Sequence, residues 1–307
     1  MAKNHRNRPS KRAEICDSRS IPMNIKLRRA TPDDAQRCGT ICYEAFTAIA
    51  SQHNFPPDLP SAEVTIGLLS KLIADPRFYA IVAEIDHQVV GSNFMDERSA
   101  IAGIGPITID PTAQNRGIGR ALMSDCMARA AQRRVPGVRL VQAGYHIRSL
   151  SLYTKLGFVT REPLAVMQGA PLDLQISGYA VRKAVEADLQ SCDRVCFKVH
   201  GLNRSAEVLD AIKAGTATVV EHDGDVTAYA TVVGFFGHTV GETNDGLKVL
   251  IGAATVFAGP GFLLPMRNWE LFRWCLDNGL RVVEPMTLMS VGLYNEPVGA
   301  FLPSVLY

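Results

Sequence analysis

The chain has 307 residues, 47% of them hydrophobic and 20% charged, with a formal net charge of +2. That length accommodates two domains with cores of their own, and the composition excludes a disordered, collagen-like or coiled-coil chain. No apolar run approaches the roughly 20 residues that cross a bilayer. The near-neutral charge lacks the concentrated basic face that nucleic-acid or membrane binding uses. Seven cysteines, an odd number with no secretory apolar segment before them, read as reduced thiols of a cytoplasmic protein.

Residues 1–22, basic and polar through Lys3, Arg6, Arg8, Lys11, Arg12 and Arg19, are expected to be a disordered leader. Pro9, Glu14, Asp17 and the missing apolar face argue against a targeting helix. A first lobe is expected over 23–168. Residues 25–28 alternate apolar and basic side chains as a strand does. Thr31 then caps a helix, with Pro32 in its first position and Asp33 and Asp34 at its positive end. Cys38, Cys42 and Ala45 continue on one side of it. A second helix is predicted at 62–74, strands at 78–85, 88–95 and 101–109, and a long helix at 117–134. A strand at 138–142, a short helix at 148–156 and a final strand pair beyond Phe158 finish the lobe. A linker at 169–178 holds Gly169, Pro171 and Gly178. The second lobe, 179–307, is predicted to carry strands at 179–183, 216–221, 226–235 and 247–257, helices at 187–199 and 266–278, and a strand at 281–285. Strands bracketed by helices in this order read as an α/β or α+β fold.

The second lobe repeats the first. Arg28-Arg29-Ala30-Thr31-Pro32-Asp33-Asp34-Ala35-Gln36-Arg37-Cys38 matches Arg182-Lys183-Ala184-Val185-Glu186-Ala187-Asp188-Leu189-Gln190-Ser191-Cys192, and Ile41-Cys42-Tyr43 falls on Val195-Cys196-Phe197, all at a spacing of 154. Val82-Ala83-Glu84-Ile85-Asp86 meets Val219-Val220-Glu221-His222-Asp223 at a spacing of 137. The second copy has therefore lost residues, mostly from the segment between His53 and Leu69.

Residues 104–131 carry the sharpest chemical signal. Ile107-Thr108-Ile109 suits a strand, Pro111 stops it, and Gln114-Asn115-Arg116-Gly117-Ile118-Gly119-Arg120 leads into a helix with Ile118, Leu122, Cys126 and Ala130 on one face. The first N–H groups of a helix have no acceptor within it and add to the positive end of its dipole. Gly117 and Gly119 lack a Cβ, so phosphate oxygens can approach the backbone closely. Arg116 and Arg120 add positive charge, and the ligand read from this loop is a pyrophosphate. The bland alternative is a glycine-containing connection that only packs. The loop lacks the GK[ST] ending of a P-loop and the GxGxxG of a dinucleotide site.

Gln114-Asn115-Arg116-Gly117-Ile118-Gly119 matches the Q/R-x-x-G-x-G/A signature of the GNAT superfamily of acyl-CoA-dependent N-acyltransferases. Leu152-Tyr153-Thr154-Lys155-Leu156-Gly157-Phe158 matches its second signature, Leu-Tyr-x-x-x-Gly-Phe. Residues 25–166 thus resemble a GNAT domain. The whole chain resembles a tandem arrangement of two GNAT-like lobes, each a mixed, mostly antiparallel sheet flanked by helices, with the second lobe degenerate. The resemblance implies a catalytic lobe at 23–168, acetyl-coenzyme A as co-substrate, no metal, and a small-molecule or protein amine as acceptor. It implies that Ile107, Thr108 and Ile109 offer backbone groups to the pantetheine arm, that the amides from Gln114 to Arg120 hold the pyrophosphate, and that Tyr153 protonates the leaving thiolate. Attack of an amine on a thioester develops negative charge on oxygen, which a strand amide can stabilise, and the thiolate needs a proton, which a phenol can supply. Taken alone, Tyr153 reads as a packing tyrosine.

The chain departs from the family pattern in places. His146 and Ile147 stand where many members carry an Asn before the Leu-Tyr pair, and Gly103 stands where some carry a glutamate base. Asp96 and Glu97 are candidates for relaying a proton through water, set against a reading as solvated turn carboxylates. His53 lies in the loop 51–60 that shapes the acceptor site, set against a surface histidine. No base is identified from the sequence. In the second lobe, Ala258-Gly259-Pro260-Gly261-Phe262-Leu263-Leu264-Pro265 is read as the equivalent loop. It lacks a basic residue, and Pro260 and Pro265 lack N–H donors, so this lobe is expected not to hold coenzyme A. Leu293-Tyr294 weakly echoes Leu152-Tyr153. Cys38/Cys42 and Cys192/Cys196 read as small core residues rather than metal ligands, and Trp269, Phe272, Trp274 and Leu276 as an amphipathic core helix. The expectation is a cytoplasmic N-acetyltransferase with no nucleic-acid or membrane partner. A non-catalytic acyl-coenzyme A sensor and a scaffold that forms a homodimer are the rivals.

Overall fold

In the computed structural model, which describes residues 24–306, the two halves of the chain follow nearly the same order of elements, the second having one strand where the first has β4 and β5 and ending on an additional strand; the leader expected at 1–22 lies outside them. The first half runs β1 (Lys26–Arg29), α1 (Ala35–Gln52), α2 (Ala62–Ala74), β2 (Phe78–Ile85), β3 (Gln88–Asp96), β4 (Ile101–Ile104), β5 (Thr108–Ile109), α3 (Ile118–Gln132), β6 (Gly137–Ala143), α4 (Ile147–Lys155) and β7 (Val159–Gln168). The second runs β8 (Tyr179–Lys183), α5 (Leu189–His200), α6 (Ser205–Lys213), β9 (Thr218–His222), β10 (Asp225–Ala230), β11 (Thr239–Gly241), α7 (Asn244–Ala253), β12 (Phe262–Pro265), α8 (Trp269–Asp277), β13 (Arg281–Gly292) and β14 (Ala300–Leu302).

The duplication reaches down to single ion pairs. Arg28 donates through Nε to Glu84 at 2.7 Å and grips Asp34 at 2.7 and 2.8 Å. Arg182 does the same with Glu221 at 2.8 Å and Asp188 at 2.6 and 2.8 Å. Each aspartate also takes the backbone N–H three residues before it, from Thr31 or Val185. A carboxylate at the positive helix end so ties strand to helix in each copy, and the Arg28 hydrogen bonds hold Asp34 down at about 2.

α1 and α2 cover one face of the first sheet, where Cys38, Ile41, Cys42 and Leu69 pack on Ala80, Val82 and Phe94. α3 and α4 cover the other, where Ile118, Leu122, Cys126 and Tyr153 pack on Ile81, Ala83 and Met95. Cys192 and Cys196 are buried in the matching core of the second half. α8 differs from expectation in part. Leu271 and Cys275 form its buried stripe, with Phe272 and Trp274 packed beside it, while Trp269 and Leu276 are exposed.

Elements of the second half and of the seam between the halves differ from the sequence reading. Residues 247–257 do not form a strand, because helix α7 spans Asn244–Ala253. Leu247, Val249, Leu250 and Ile251 are all buried, and a wholly apolar run fits a buried helix as well as a strand. The final strand pair beyond Phe158 is not made within the first half either. β7 is one strand, and β13 from the second half lies between β6 and β7. The large sheet runs β1-β2-β3-β4-β6-β13-β7-β12, with β5 on β3, and the smaller runs β14-β11-β10-β9-β8. β13 thus sits between two strands of the first half, and β7 between two strands of the second. Leu164 lies opposite Met286 at the centre of this seam. The boundaries expected at 168 and 179 separate the copies in sequence, while the sheet is shared across them.

Candidate active site

β4 and β6 run parallel only from Ile101↔Gly137 to Gly103↔Arg139. Gly105, at φ 141°, and Pro106 then break the strand expected as continuous over 101–109; Pro106 has no N–H to give a ladder. β5 resumes with Thr108 and Ile109 paired to Ser92 and Gly91 of β3, while β6 runs on to Ala143. The sheet opens here into a cavity of about 670 Å³. Cys42, Phe46 and Ile49 of α1 line it, as do Leu152 and Tyr153 of α4 and Phe235, Phe236, Met286 and Val305 from the second half.

Ile107, Thr108, Ile109, Gln114, Asn115, Gly117, Ile118, Gly119, Arg120 and Tyr153 all border this cavity. Arg116 is exposed in the same loop, away from the lining. Asn115 at φ 64° and Gly117 at φ 83° turn the chain sharply into α3, with Gly117 as N-cap. Gly119 serves packing: a Cβ there would stand 3.2 Å from Ile109 Cδ1 and 3.5 Å from Leu152 Cδ2. Arg148, in the first turn of α4, donates to Gln114 Oε1 at 3.1 Å and Asn115 Oδ1 at 3.3 Å. It adds a cation to the loop that sequence reasoning missed, although it sits between the two signatures.

Burial raises the Tyr153 phenol well above its ordinary range, so it stays protonated. His146 lines the cavity, and burial, with help from Arg148 and His53, lowers its imidazole to about 4, leaving it neutral near pH 7. Burial raises the Cys42 thiol to about 12. Asp96 and Glu97 are neither relays nor solvated turn groups. Asp96 takes Arg98 at 2.5 and 3.0 Å, and Glu97 takes Arg129 at 2.8 Å and Arg133 at 2.8 Å, all outside the cavity wall. His53 is not a free surface group. Its Nδ1 meets the Ile49 carbonyl at 2.9 Å and its ring lies 5.3 Å from that of Tyr145.

Four further groups, Asp58, Glu284, Tyr145 and Gln142, stand at or just behind the cavity wall. Asp58, from the loop between α1 and α2, lines the cavity and is hydrogen-bonded to Glu284 of β13. Tyr145 also donates to Glu284, and its ring stacks on Phe55 at 4.3 Å. Gln142 of β6 lines the cavity too, with neither amide atom partnered. Burial, joined by Asp58, raises the Glu284 carboxyl, and burial raises Asp58 as well. One sequence signal pointed here: Glu284-Pro285 repeats Glu162-Pro163 at a spacing of 122.

The same spacing aligns the rest of the second half. Leu280 N–H donates to the Cys275 carbonyl at 3.0 Å after Gly279 at φ 83°. Phe158 N–H donates to the Tyr153 carbonyl at 3.0 Å after Gly157 at φ 93°. Trp274-Cys275 therefore replaces Leu152-Tyr153, and Leu293-Tyr294 lies elsewhere, its ring beneath Arg139 and Arg161. The segment 258–265 is not the counterpart of the α3 loop, since Phe262–Pro265 is strand β12. That counterpart precedes α7, where Glu242 and Asp245 put carboxylates at a helix N-terminus, a poor setting for phosphate.

Residues 76–160 match the acetyltransferase (GNAT) domain family. No curated protein matches the chain. Among solved structures, a Pyrococcus horikoshii protein assigned as an acetyltransferase is similar at 17% identity and a TM-score of 0.71, covering 98% of each chain. A GCN5-related N-acetyltransferase from Sphaerobacter thermophilus is similar at 16% identity and a TM-score of 0.60, over 90% of this chain and 98% of its own. A tandem GNAT protein from the clavulanic acid biosynthesis pathway is similar at 13% identity and a TM-score of 0.54, over 87% of this chain and 98% of its own. These likenesses establish the fold of both halves. Residues 76–160 thus match a GNAT acetyltransferase domain, the two signatures converge on one cavity, and the fold of the whole chain is similar to that of tandem GNAT structures.

Proposed function

We propose that the chain transfers an acetyl or another short acyl group from acyl-coenzyme A to a primary amine, which attacks directly while both substrates are bound. One observation carries this reading: the N-terminus of α3, entered through Gly117, opens on a cavity at a break in the sheet that also receives the buried phenol of Tyr153. The amides of Ile118, Gly119 and Arg120 have no acceptors within the helix and suit a diphosphate. Arg120, Arg116 and Arg148 add charge around the same loop. β5 spends one edge on β3. Its other edge, with Ile107, suits the amide-rich pantetheine arm by strand-like pairing.

Acyl-coenzyme A would bring an activated carbonyl, and the protein's own groups manage the charges around it. A new C–N bond forms as the C–S bond breaks. Backbone N–H groups near Ile107 and Ile109 suit the oxyanion. Tyr153, kept protonated by burial, donates to the departing thiolate. Cys42 also borders the cavity, but its raised thiol is a poor covalent nucleophile, which favours direct attack over an acyl-cysteine.

The acceptor is read as a small-molecule or protein amine, with neither nucleic acid nor membrane as a partner. Six cysteines among the described residues are buried free thiols, in keeping with a reducing cytoplasm. No helix among the described residues is long and apolar enough to cross a membrane. The test is release of free thiol from acetyl-coenzyme A across a panel of primary amines. Amine-dependent release that falls in Tyr153→Phe supports the transferase. Tight binding of acetyl-coenzyme A with no turnover of any amine indicates a sensor, and no binding at all indicates a scaffold.

A further inference from the structure

Glu284 is 1% exposed, and it enters the first half's site from a strand of the second half. Its Oε2 and the Oδ1 of Asp58 are both buried and accept from no N–H or hydroxyl. Two carboxyls in hydrogen-bond contact satisfy such oxygens only by sharing a proton, which leaves one negative charge on the pair. The matching place in the second half shows what a merely structural glutamate has there. Glu162, the equivalent of Glu284, meets Arg267 at 2.6 Å. Arg267 lies 122 residues after Tyr145, so the first half puts a neutral phenol where the second puts a cation. The charge of the Asp58–Glu284 pair is left facing a cavity. Gln142, 6% exposed, points the same way: a buried amide with neither atom partnered, on the wall of that cavity. Buried polar groups are nearly always partnered, so a bare amide on a cavity wall calls for a partner from within the cavity.

We propose that Asp58, with Glu284 behind it, receives the acceptor as an ammonium ion and takes its proton, and that the acceptor is a small primary amine with an apolar body. This rests on the acyl-transfer reading above and supplies the base that Gly103 cannot provide. The ammonium gives one proton to the pair and becomes the free amine. The amine attacks the thioester carbonyl, the C–N bond forms, and the C–S bond breaks. The second amine proton leaves as the thiolate is protonated by way of Tyr153, and the pair returns its proton to solvent. Asp58 touches the cavity and is the catalytic group; Glu284 is a positioning residue that acts through it. The titratable groups facing the pair are Tyr145, the Cys42 thiol of α1 and, beyond the Tyr145 ring, His53 and His146. Leu59, Phe235, Phe236, Met286, Val305 and Leu306 wall the acceptor end, five of them from the second half, so the site suits an apolar body of limited size. Gln142 is placed to hold one polar group of either substrate.

The test uses the full chain loaded with coenzyme A and two probes of equal shape, 2-phenylethylamine and 2-phenylethanol, titrated calorimetrically. The ammonium is expected to bind at least about tenfold more tightly than the alcohol. Equal binding of the two in the unaltered protein overturns the proposal without any variant being made. In Asp58→Asn, with coenzyme A binding retained as the folding control, the amine's advantage is expected to vanish; its survival overturns the proposal. For the amine turned over fastest, Glu284→Gln keeps a hydrogen-bond donor to Asp58 and is expected to retain the acid limb of the kcat/KM profile. Glu284→Ala is expected to move that limb upward by about one pH unit. Identical limbs in the two variants remove Glu284 from the mechanism. Failure to bind coenzyme A at all would sink the acyl-transfer reading while leaving the amine preference to be measured in the unloaded protein, so the two failures are distinguishable.

Discussion

Leu164 and Met286 face each other at the centre of the seam between the two halves, and they are the same position of the repeat, 122 residues apart. Their pairing makes the two copies exchange strands. A fragment of residues 24–178 would leave β7 without β13 or β12 and expose both edges of a buried strand. Such a fragment is expected to be insoluble or to lack a cooperative unfolding transition, and co-expression with residues 179–306 is expected to recover a soluble pair. A folded, monomeric first half in analytical ultracentrifugation and thermal melting would contradict the exchange.

Arg28 and Arg182 hold equivalent aspartates with nearly equal geometry. Arg28→Met and Arg182→Met are each expected to cost about 1–2 kcal/mol, measured by urea unfolding near neutral pH. Asp34 sits at about 2 rather than its ordinary 3.8. Its contribution is therefore present above about pH 4 and is lost as pH falls toward 2. The penalty of Arg28→Met should shrink over that same window.

Gly117 holds φ 83°, and a Cβ added there meets nothing within 4 Å. Gly117→Ala therefore tests conformation alone. It is expected to cost about 1–2 kcal/mol. It is also expected to weaken coenzyme A binding more than Gly119→Ala, whose new methyl presses on Ile109 and Leu152. Thermal shifts with and without coenzyme A separate the two effects.

Tyr153→Phe removes one hydroxyl from a buried ring that packs near Phe158. The expected outcome is a fall in kcat of about 10²-fold, with the KM for acetyl-coenzyme A and the melting temperature nearly unchanged. A fall in melting temperature with kcat preserved would make the residue a packing tyrosine.

Glu284 gains affinity for a proton on folding, through burial and the nearby Asp58. The folded chain therefore binds more protons than the unfolded one above the ordinary value of 4.5. Stability falls as pH rises through that window, by up to about 1.4 kcal/mol per pH unit. Glu284→Gln removes this slope, so the variant should gain on the parent in melting temperature between about pH 5 and about pH 8. A constant difference across that range would show that Glu284 ionises normally.

Much of this was legible in local sequence. The helix at 62–74 and the strand at 78–85 match α2 and β2 to the residue, because capping, periodicity and chain breaks are all local. The α3 loop was legible for the same reason, while Tyr153 was singled out only by the resemblance to the second signature. The strand exchange was not, since β7 and β13 carry the same pattern whichever neighbour they pair with. α7 misled because a buried helix and a buried strand share an unbroken apolar run. Asp58 and Glu284 lie 226 residues apart, and only the seam brings them together. Asp96 and Glu97 looked available because the arginines that neutralise them, apart from Arg98, come from α3 and the residue after it.

The symmetry of the seam has a genealogical consequence. A single-copy ancestor with this edge would have paired with itself about a two-fold axis, and each subunit would have lent its glutamate to the other's reaction chamber. Once fused, two copies are free to diverge, and the two lent carboxyl groups now differ: Glu284 meets Asp58, while Glu162 meets Arg267.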